Sequence, residues 1–386
     1  MKSGIPTVAI RDIEIQTEHD DLVLASFGRG FFILDDYSPL QQITEEISDQ
    51  NKIFPIKKGK IYRPSAPLAG AGKAFQGANF YTAPNPEFGV AITYHVKDSL
   101  KTKQSQRKSK NKKMAASGGD VFYPSWEQLK AEDRETKPRR RLTIRDADGK
   151  VVKRLSGSTS KGMHRVYWDF RHGENRLAPI AAPGTYTIDI EQIVQGSGED
   201  ADGSFEFTQL AEPVEFEIEP LTFGETSEPD REAILAFANQ ALDLSKIINA
   251  ASSVLNETDK QLTAIKEVVE RSTDLDPELL NEVRKLELEL TDINEKFNGD
   301  RTKSRRNESA YPGFMSRLST MMLGAMGSTE GPTGTHMQQY DIVSEEYAAV
   351  AEQLNELVNS KIPALNTQLD EAGAPWTPGR KIPDLK

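Results

Sequence analysis

The sequence reads LVLASFGRGFFILDD at residues 22–36, and this stretch decides the first element of the fold. Two short apolar runs flank the tripeptide Gly28-Arg29-Gly30, and another apolar run at residues 8–15 comes before them. Residues 19–21 (HDD) separate the first run from the second. Short apolar runs bounded by Gly and Asp are typical of β-strands joined by tight turns. The sequence therefore predicts three consecutive short strands between residues 8 and 36.

This strand pattern is also typical of a blade of a β-propeller, which is a small antiparallel sheet. One repeat of such an array cannot bury its apolar surface alone, because its neighbours provide the covering surface. We therefore expect the strands of residues 8–36 either to pair with the β domain that follows or to leave an exposed edge for further blades.

Composition sets the first limits on function. The 386 residues include 48 Lys and Arg and 59 Asp and Glu, which gives a net charge of −11. This length allows two or three domains, and the acidic balance argues against nucleic acid as a partner. The absence of cysteine excludes disulfides, thiolate metal sites and cysteine nucleophiles. No apolar run reaches 18 residues, so we expect no transmembrane helix.

A second β-rich segment occupies residues 51–222. It contains several short strand patterns, at residues 89–96, 141–146, 151–155, 162–171, 183–190 and 214–218. Asp148-Gly149 predicts a two-residue hairpin turn in which both central residues take positive φ. Strands at this spacing indicate an immunoglobulin-like β-sandwich.

A basic insertion interrupts this segment at residues 98–138. Residues 101–113 carry seven Lys or Arg and no acid, so we expect a solvated excursion. The sequence VFYPSW at residues 121–126 is expected to dock the insertion back onto the domain, and Ser125 to cap a helix. The alternative is that the insertion contacts an anionic lipid or polysaccharide surface through Lys108, Lys110, Lys112 and Lys113.

The C-terminal part changes to a helical period. Apolar residues recur with alternating spacings of four and three along three segments, at residues 237–255, 279–297 and 343–357. Narrow apolar seams of this kind predict an antiparallel helical bundle over residues 225–370. A Met-rich helix at residues 314–326 is expected to pack against it. The proline-containing tail at residues 371–386 is expected to be extended.

Two sequence motifs resemble those of known protein families. Residues 26–36 resemble the closing blade of the BNR-repeat, sortilin-like β-propeller proteins of bacteria, which are often labelled glycosyl hydrolases. The pattern Gly-x-His-x-Val-x-Trp-Asp at residues 162–169, followed by Ala-Pro-Gly-Thr-Tyr at residues 182–186, resembles the FlgD-like sandwich modules. With the helical bundle and its Ile-Pro-Ala-Leu-Asn ending at residues 362–366, the resemblance extends over nearly the whole chain.

The resemblance implies a multidomain α+β architecture and a role. Residues 1–50 would be the remnant of the last propeller blade with a connecting helix, ahead of the sandwich, the bundle and the tail. The chain would be a non-catalytic structural and interaction region of a secreted or periplasmic propeller protein. Its partners would be the N-terminal blades of the same protein and a protein or glycan ligand.

Two alternatives follow from the same resemblance. The chain could belong to a glycoside hydrolase whose active site lies on the propeller, or to a sortilin-like peptide-binding receptor. Residues 1–6 lack the apolar core of a signal peptide, so a secreted parent protein would carry its signal ahead of this chain.

The sequence offers weak candidates for catalysis. Asp35 and Asp36 follow the third strand, but adjacent strand residues point to opposite faces and cannot flank one glycosidic bond together. The structural interpretation is that they end the strand and cap the helix that begins near Ser38. Arg29, between two glycines, is expected to pair with a carboxylate of a neighbouring blade, or else to bind an anionic ligand.

Metal and cofactor signals are equally weak. His164 and His172 flank Asp169 without a ligand spacing, and Asp146-Ala147-Asp148-Gly149 lacks the later acids of a calcium loop. We expect no cofactor and no metal. Trp126 and Trp376 are candidate platforms for sugar stacking, whereas Trp168 is expected in the core of the sandwich.

Overall fold

The computed structural model describes residues 5–62, 87–173, 178–196, 204–221, 231–327 and 331–383. These residues form a mixed α+β protein that divides into two compact units. The first unit comprises residues 1–174 and 181–224, and the second comprises residues 225–386 with the short segment 175–180. The boundary expected between residues 222 and 225 lies outside the described residues.

The first unit contains most of the strands. In chain order its elements are β1 (Ile10–Gln16), β2 (Asp21–Ser26), β3 (Phe31–Leu34), α1 (Ser38–Gln41), a 3-10 turn (Glu45–Asp49), β4 (Lys52–Ile53), β5 (Gly59–Ile61), β6 (Val90–Val96), α2 (Lys103–Ala116), α3 (Trp126–Asp133), β7 (Arg139–Arg145), β8 (Val151–Gly157), β9 (Gly162–Trp168), β10 (Gly184–Gln195), β11 (Phe205–Gln209) and β12 (Val214–Pro220).

The three N-terminal strands form an antiparallel sheet in the order β1-β2-β3, as the apolar runs predict. Its register aligns Ile13 with Leu24 and Leu24 with Phe32. The turn between β2 and β3 is tight: the amide of Ser26 donates to the carbonyl of Gly30 at 3.0 Å. Gly28 and Gly30 both take φ of 73°, which glycine adopts without strain.

Two further sheets share one core. One has the order β5-β12-β10-β7-β8 with β11 paired to β10, and the other has the order β4-β6-β9. Trp168 of β9 is fully buried, with ring centroids 5.1 Å from Tyr186 of β10 and 6.0 Å from Phe216 of β12. The expectation that Trp168 lies in the core is confirmed, so it does not serve as an exposed sugar platform.

The hairpin between β7 and β8 differs in detail from the predicted turn. Gly149 takes φ of 78°, but Asp148 does not take positive φ. The Asp146 carboxylate accepts from the amides of Asp148 and Lys150 at 3.2 and 2.9 Å, and the register shifts next to Ile144. A longer loop with a bulge needs only one left-handed residue, so the two-residue turn is wrong.

The second unit is helical in its described residues. Its elements are α4 (Arg231–Arg271), α5 (Leu279–Asn298), α6 (Arg301–Ser304), α7 (Phe314–Gly327), α8 (Gly334–Glu356), a π-helical turn (Leu357–Lys361) and α9 (Ile362–Glu371). The three predicted apolar seams line one continuous core, and Tyr347 is the one seam residue that is partly exposed. Lys266 near the end of α4 pairs with Glu287 of α5 at 3.2 Å, as expected for antiparallel neighbours.

The Met-rich helix and the tail both pack against the other helices. Met321 and Met322 of α7 are buried in the common core. The tail was expected to be extended, but residues 374–380 fold back, and Ala374 and Thr377 are buried. The Arg380 guanidinium explains this difference, because it donates to the Asp370 carboxylate at 2.5 and 2.9 Å.

Candidate functional site

The most unusual surface of the first unit is the N-terminal sheet. Five large apolar side chains there are between 44% and 74% exposed: Ile13, Ile15, Phe27, Phe31 and Ile33, which we call the sheet surface. Scattered exposed apolar residues are ordinary in proteins, but a concentration of them marks an interaction site.

The strand register shows how the sheet surface is distributed. Ile13 and Ile15 of β1 share a face with Leu24 and Phe32, because directly paired residues lie on the same side of a sheet. Phe31 and Ile33 of β3 point to the opposite face. Leu24 is only 5% exposed, so the first face is covered in its middle and open at β1. Both faces therefore carry apolar side chains without a complete cover.

Asp36, a predicted catalytic candidate, lies where β3 ends and is held on several sides. Its carboxylate accepts from the Ser38 hydroxyl at 2.6 Å and pairs with Lys57 at 3.1 Å. Its amide donates to the Asp21 carboxylate at 2.9 Å, and its φ is 50°. These contacts favour the first part of the structural interpretation, in which Asp36 ends the strand. The predicted helix cap is wrong, because Tyr37 is the N-cap of α1 and no side-chain hydrogen bond caps the helix; Asp36 accepts only a long bond of 3.3 Å from the Ser38 amide.

Arg165 of β9 connects this turn to the rest of the first unit. Its guanidinium donates to the carbonyl of Asp35 at 2.7 Å, to the carbonyl of Asp36 at 2.8 Å and to the Thr93 hydroxyl at 2.9 Å. The Asp35 residue itself is exposed. The structure thus uses both candidate acids as backbone anchors, and it does not bring their carboxylates together around a cleft.

Arg29 lies at the exposed tip of the turn between β2 and β3. Within the described residues its guanidinium forms no ion pair, and no carboxylate of the sheet approaches it. A contact with a neighbouring blade or with an anionic ligand stays a prediction for this residue.

The basic insertion is helical and exposed. Arg107 of α2 forms a two-pronged ion pair with Glu132 of α3, with distances of 2.5 and 2.7 Å. The hydrogen bond from Arg107 is the main cause that lowers the pKa of Glu132. The four predicted contact lysines of α2 are exposed and form no ion pair in the described part of the chain: Lys108, Lys110, Lys112 and Lys113.

The segment VFYPSW does not dock the insertion. Phe122, Tyr123 and Trp126 are 71–81% exposed, and Val121 is also exposed. The two ends of the insertion are attached instead: Arg140 is buried and donates to the carbonyls of Ser158 at 2.9 Å and of Asp98. The amide of Leu100 donates to the carbonyl of Thr159 at 2.7 Å, and the amide of Thr136 donates to the Gln195 side chain at 2.9 Å. Burial lowers the pKa of Arg140. The alternation of the strand was the available signal, because Arg140 falls on the same face of β7 as the buried Leu142 and Ile144.

The structure places His164 and His172 in different surroundings. His164 contacts the carbonyl of Ser160 through Nε2 at 2.9 Å, while Nε2 of His172 is buried and has no hydrogen-bond partner among the described residues. Burial lowers the pKa of His172. Among the residues that the structure describes, no group of three or more His, Cys, Asp or Glu is placed to hold a metal ion. Asp146 is engaged in the hairpin turn.

A cleft of about 360 Å³ lies within the helical unit, where the tail crosses the end of α4. Glu267, Arg271 and Ser272 line it from the helix side, and Trp376 and Thr377 line it from the tail. The Trp376 indole donates to the carbonyl of Arg380 at 3.1 Å and is half exposed. The Thr377 hydroxyl is buried, and the described residues offer it no hydrogen-bond partner.

No protein family model, no curated protein and no solved structure matches this chain. Across the described ranges, no helix is long and apolar enough to cross a membrane.

Proposed function

We propose that this chain is a non-catalytic structural and interaction region of a β-propeller protein of the BNR-repeat, sortilin-like class. In this proposal, β1, β2 and β3 are strands of a propeller blade, and the two larger sheets are an immunoglobulin-like sandwich that supports it. The observation that carries the proposal is the exposed apolar side chains on both faces of the N-terminal sheet.

The geometry of a propeller fits this observation. A typical blade has four strands and packs between two others, so both of its faces need apolar side chains. Here the sheet has three strands, and Ile13 and Ile15 face one side while Phe31 and Ile33 face the other. Covering one such side chain contributes roughly 1.5–3 kcal/mol, so neighbouring blades would add substantial stability.

The contacts that anchor the N-terminal sheet support the proposed role of the larger β domain as its support. Arg165 and Lys57 fix the end of β3 to the larger β domain by hydrogen bonds and ion pairs. A sheet held in this way presents its apolar faces in a fixed orientation. Arg29, at the tip, is then available to a carboxylate of the adjacent blade. By resemblance, the parent protein is secreted or periplasmic.

A first experiment tests the parent protein itself. An antiserum against residues 231–383 should detect, in cells that express the gene, a species much larger than the 42.9 kDa of this chain. A cellular product of 42.9 kDa would contradict the proposal.

A second experiment tests the sheet surface inside that parent protein. Ile13→Lys combined with Ile33→Lys should lower the thermal unfolding temperature of the propeller, because charges would be buried between blades. The matched control is Thr17→Lys combined with Glu18→Lys in the exposed turn between β1 and β2. Equal unfolding temperatures in the two double variants would count against a blade interface.

Glycan binding is a second candidate function, and the cleft at Trp376 favours it. The exposed indole gives a flat apolar surface for one face of a sugar ring. Arg271 donates hydrogen bonds and Glu267 accepts them, which suits hydroxyl groups that do both. The cleft volume of about 360 Å³ is in the range of small-ligand sites.

Calorimetric titration with a panel of neutral oligosaccharides tests this second candidate. Trp376→Ala should abolish the binding heat, whereas Tyr311→Ala, which removes an exposed ring elsewhere in the helical unit, should not. Absence of binding heat at millimolar oligosaccharide would exclude it.

A further inference from the structure

We infer that the α2–α3 hairpin is a contact site for a bilayer surface that contains anionic phospholipid. The contact would combine two groups of side chains. The lysine face consists of Lys108, Lys110, Lys112 and Lys113, and the aromatic tip consists of Val121, Phe122, Tyr123 and Trp126. This site uses other residues than the N-terminal sheet. An experiment can therefore contradict the membrane inference without contradicting the blade proposal, or contradict the blade proposal without contradicting the membrane inference.

No carboxylate of the described residues forms an ion pair with the lysine face. Helix α2 has six Lys or Arg and no acid. Of these six, Arg107 is the one with an ion pair in the described part of the chain, formed with Glu132. Asn111 and Met114 lie with Arg107 on the half-buried side of the helix. This arrangement directs the remaining lysines outward. In a chain with net charge −11, the lysine face is a local positive surface, although Asp120 and Glu127 flank the aromatic tip, and it suits an anionic leaflet.

A small cleft on α2 has the size and the donors for a charged headgroup. It measures about 300 Å³ and is lined by Lys101, Gln106, Ser109, Lys110 and Lys113. Three ammonium groups with an amide and a hydroxyl provide hydrogen-bond donors for phosphate and carboxylate oxygens. Phosphatidylserine carries both of these groups.

The aromatic tip lies where α2 ends and α3 begins. Helix α2 stops where the amides of Ser117 and Gly119 donate to the carbonyl of Met114 at 3.1 and 2.9 Å. Helix α3 begins with a capping box between Ser125 and Gln128. In the loop between these two stops, Phe122 and Tyr123 are 80% and 81% exposed.

Aromatic rings beside a cluster of lysines are typical of segments that lie at a membrane interface. Nucleic acid would also attract the lysines, and its bases would stack on aromatic rings. However, the tip includes the aliphatic Val121, and its rings are gathered at one end of α2 instead of being interleaved with the lysines. This arrangement favours insertion of the tip into lipid with the lysines above the headgroups.

Vesicle co-sedimentation with the full chain tests the inference. The protein should bind vesicles with about one-third phosphatidylserine in phosphatidylcholine, and it should not bind pure phosphatidylcholine. Replacing all four lysines of the lysine face by Gln should weaken binding about tenfold or more. The matched control replaces four exposed lysines of α4 and α5 by Gln, namely Lys246, Lys260, Lys285 and Lys296, and should retain binding.

The aromatic tip is tested separately. Phe122→Ser combined with Tyr123→Ser should also weaken vesicle binding about tenfold, and Tyr311→Ala combined with Ile382→Ala should not. All of these side chains are exposed, so the variants should fold normally. In a Trp376→Phe background, vesicles should shift the emission of exposed Trp126 to shorter wavelength, since Trp168 is buried.

Several results would overturn the inference. One is binding that does not depend on phosphatidylserine, and another is an equal loss in the hairpin and control lysine variants. A third is an unshifted Trp126 emission. Binding of the hairpin to a single-stranded RNA oligonucleotide without binding to the vesicles would assign the lysine face to nucleic acid instead.

Discussion

The N-terminal sheet and the helical unit show two outcomes of the same sequence signal. In both, apolar residues recur with the period of the local element. In the helical unit the seam of α5 is buried, and Phe297 at its end is inaccessible. In the sheet, Phe31 and Ile33 are more than half exposed. The comparison shows that periodicity sets the element, whereas burial requires a covering surface in the same chain.

The difference has a simple physical cause. Each helix presents one narrow apolar stripe, and α4, α5, α7 and α8 bring their stripes together within the second unit. The sheet presents apolar side chains on two faces, and the first unit covers only part of one of them. A sheet with apolar residues on both faces needs two covering surfaces to bury them.

The largest expected effect separates a buried phenylalanine from an exposed one. Phe297→Ala should destabilise the helical unit by about 3–5 kcal/mol, because it removes a buried ring that packs 5.3 Å from Phe314. Phe31→Ala should change the stability of the chain by less than about 0.5 kcal/mol. Chemical denaturation followed by circular dichroism at 222 nm and by Trp168 fluorescence measures both. Similar losses of unfolding free energy in the two variants would contradict the proposed difference between the helical unit and the sheet.

The next effect concerns the attachment of the sheet. Arg165→Met should cost the first unit about 1–3 kcal/mol, because three hydrogen bonds to the guanidinium are lost and one of them involves the buried Thr93. Amide hydrogen exchange should become faster in β1, β2 and β3 and stay unchanged in α4 and α5. Arg154→Met, at an exposed position of β8, is the control. Unchanged exchange in β2 would show that apolar packing alone holds the sheet.

A smaller effect tests a turn that depends only on local conformation. Gly149→Ala should cost about 1 kcal/mol, because alanine at φ of 78° is strained while the Cβ would meet open space. Gly149→Asn should cost less, since asparagine tolerates this region better. The midpoint of urea unfolding of the first unit measures the two costs. A larger loss with Asn would indicate that a contact, and not φ, limits the position.

The smallest effect is a pH dependence. Burial lowers the pKa of His172 in the folded chain, with smaller contributions from Lys150, which lowers it, and Asp146, which raises it. As pH falls below the unfolded pKa of about 6.5, the unfolded state takes up the proton first, so the first unit loses stability. Urea midpoints at neutral and mildly acidic pH should differ less for His172→Gln than for the unchanged chain, and an equal difference in the two would contradict this origin.

Sequence reasoning located most elements but not their surroundings. The three N-terminal strands, the buried Trp168, the Ser125 cap and the apolar seams follow from local pattern. The exposure of Phe122 and Tyr123 does not follow from local pattern, because the same aromatic sequence can pack against the protein or remain in solvent. The predicted two-residue turn at Asp148-Gly149 is wrong, because the apolar pattern of the flanking strands does not show whether the loop contains a bulge. For the candidate site, the lysine face was predicted, while Arg140 and the Trp376 cleft were not.

The sequence by itself determined the three N-terminal strands and the helices with apolar seams, and that residues 101–113 carry positive charge without acids. Those properties are local, since they depend on spacing, turn residues and charge. The tertiary structure decided that Asp36 is an anchor, which carbonyls the Arg140 guanidinium contacts, and that the sheet surface stays uncovered. Each of these depends on contacts between residues far apart in the chain. The local sequence pattern does not specify which distant side chain makes the contact.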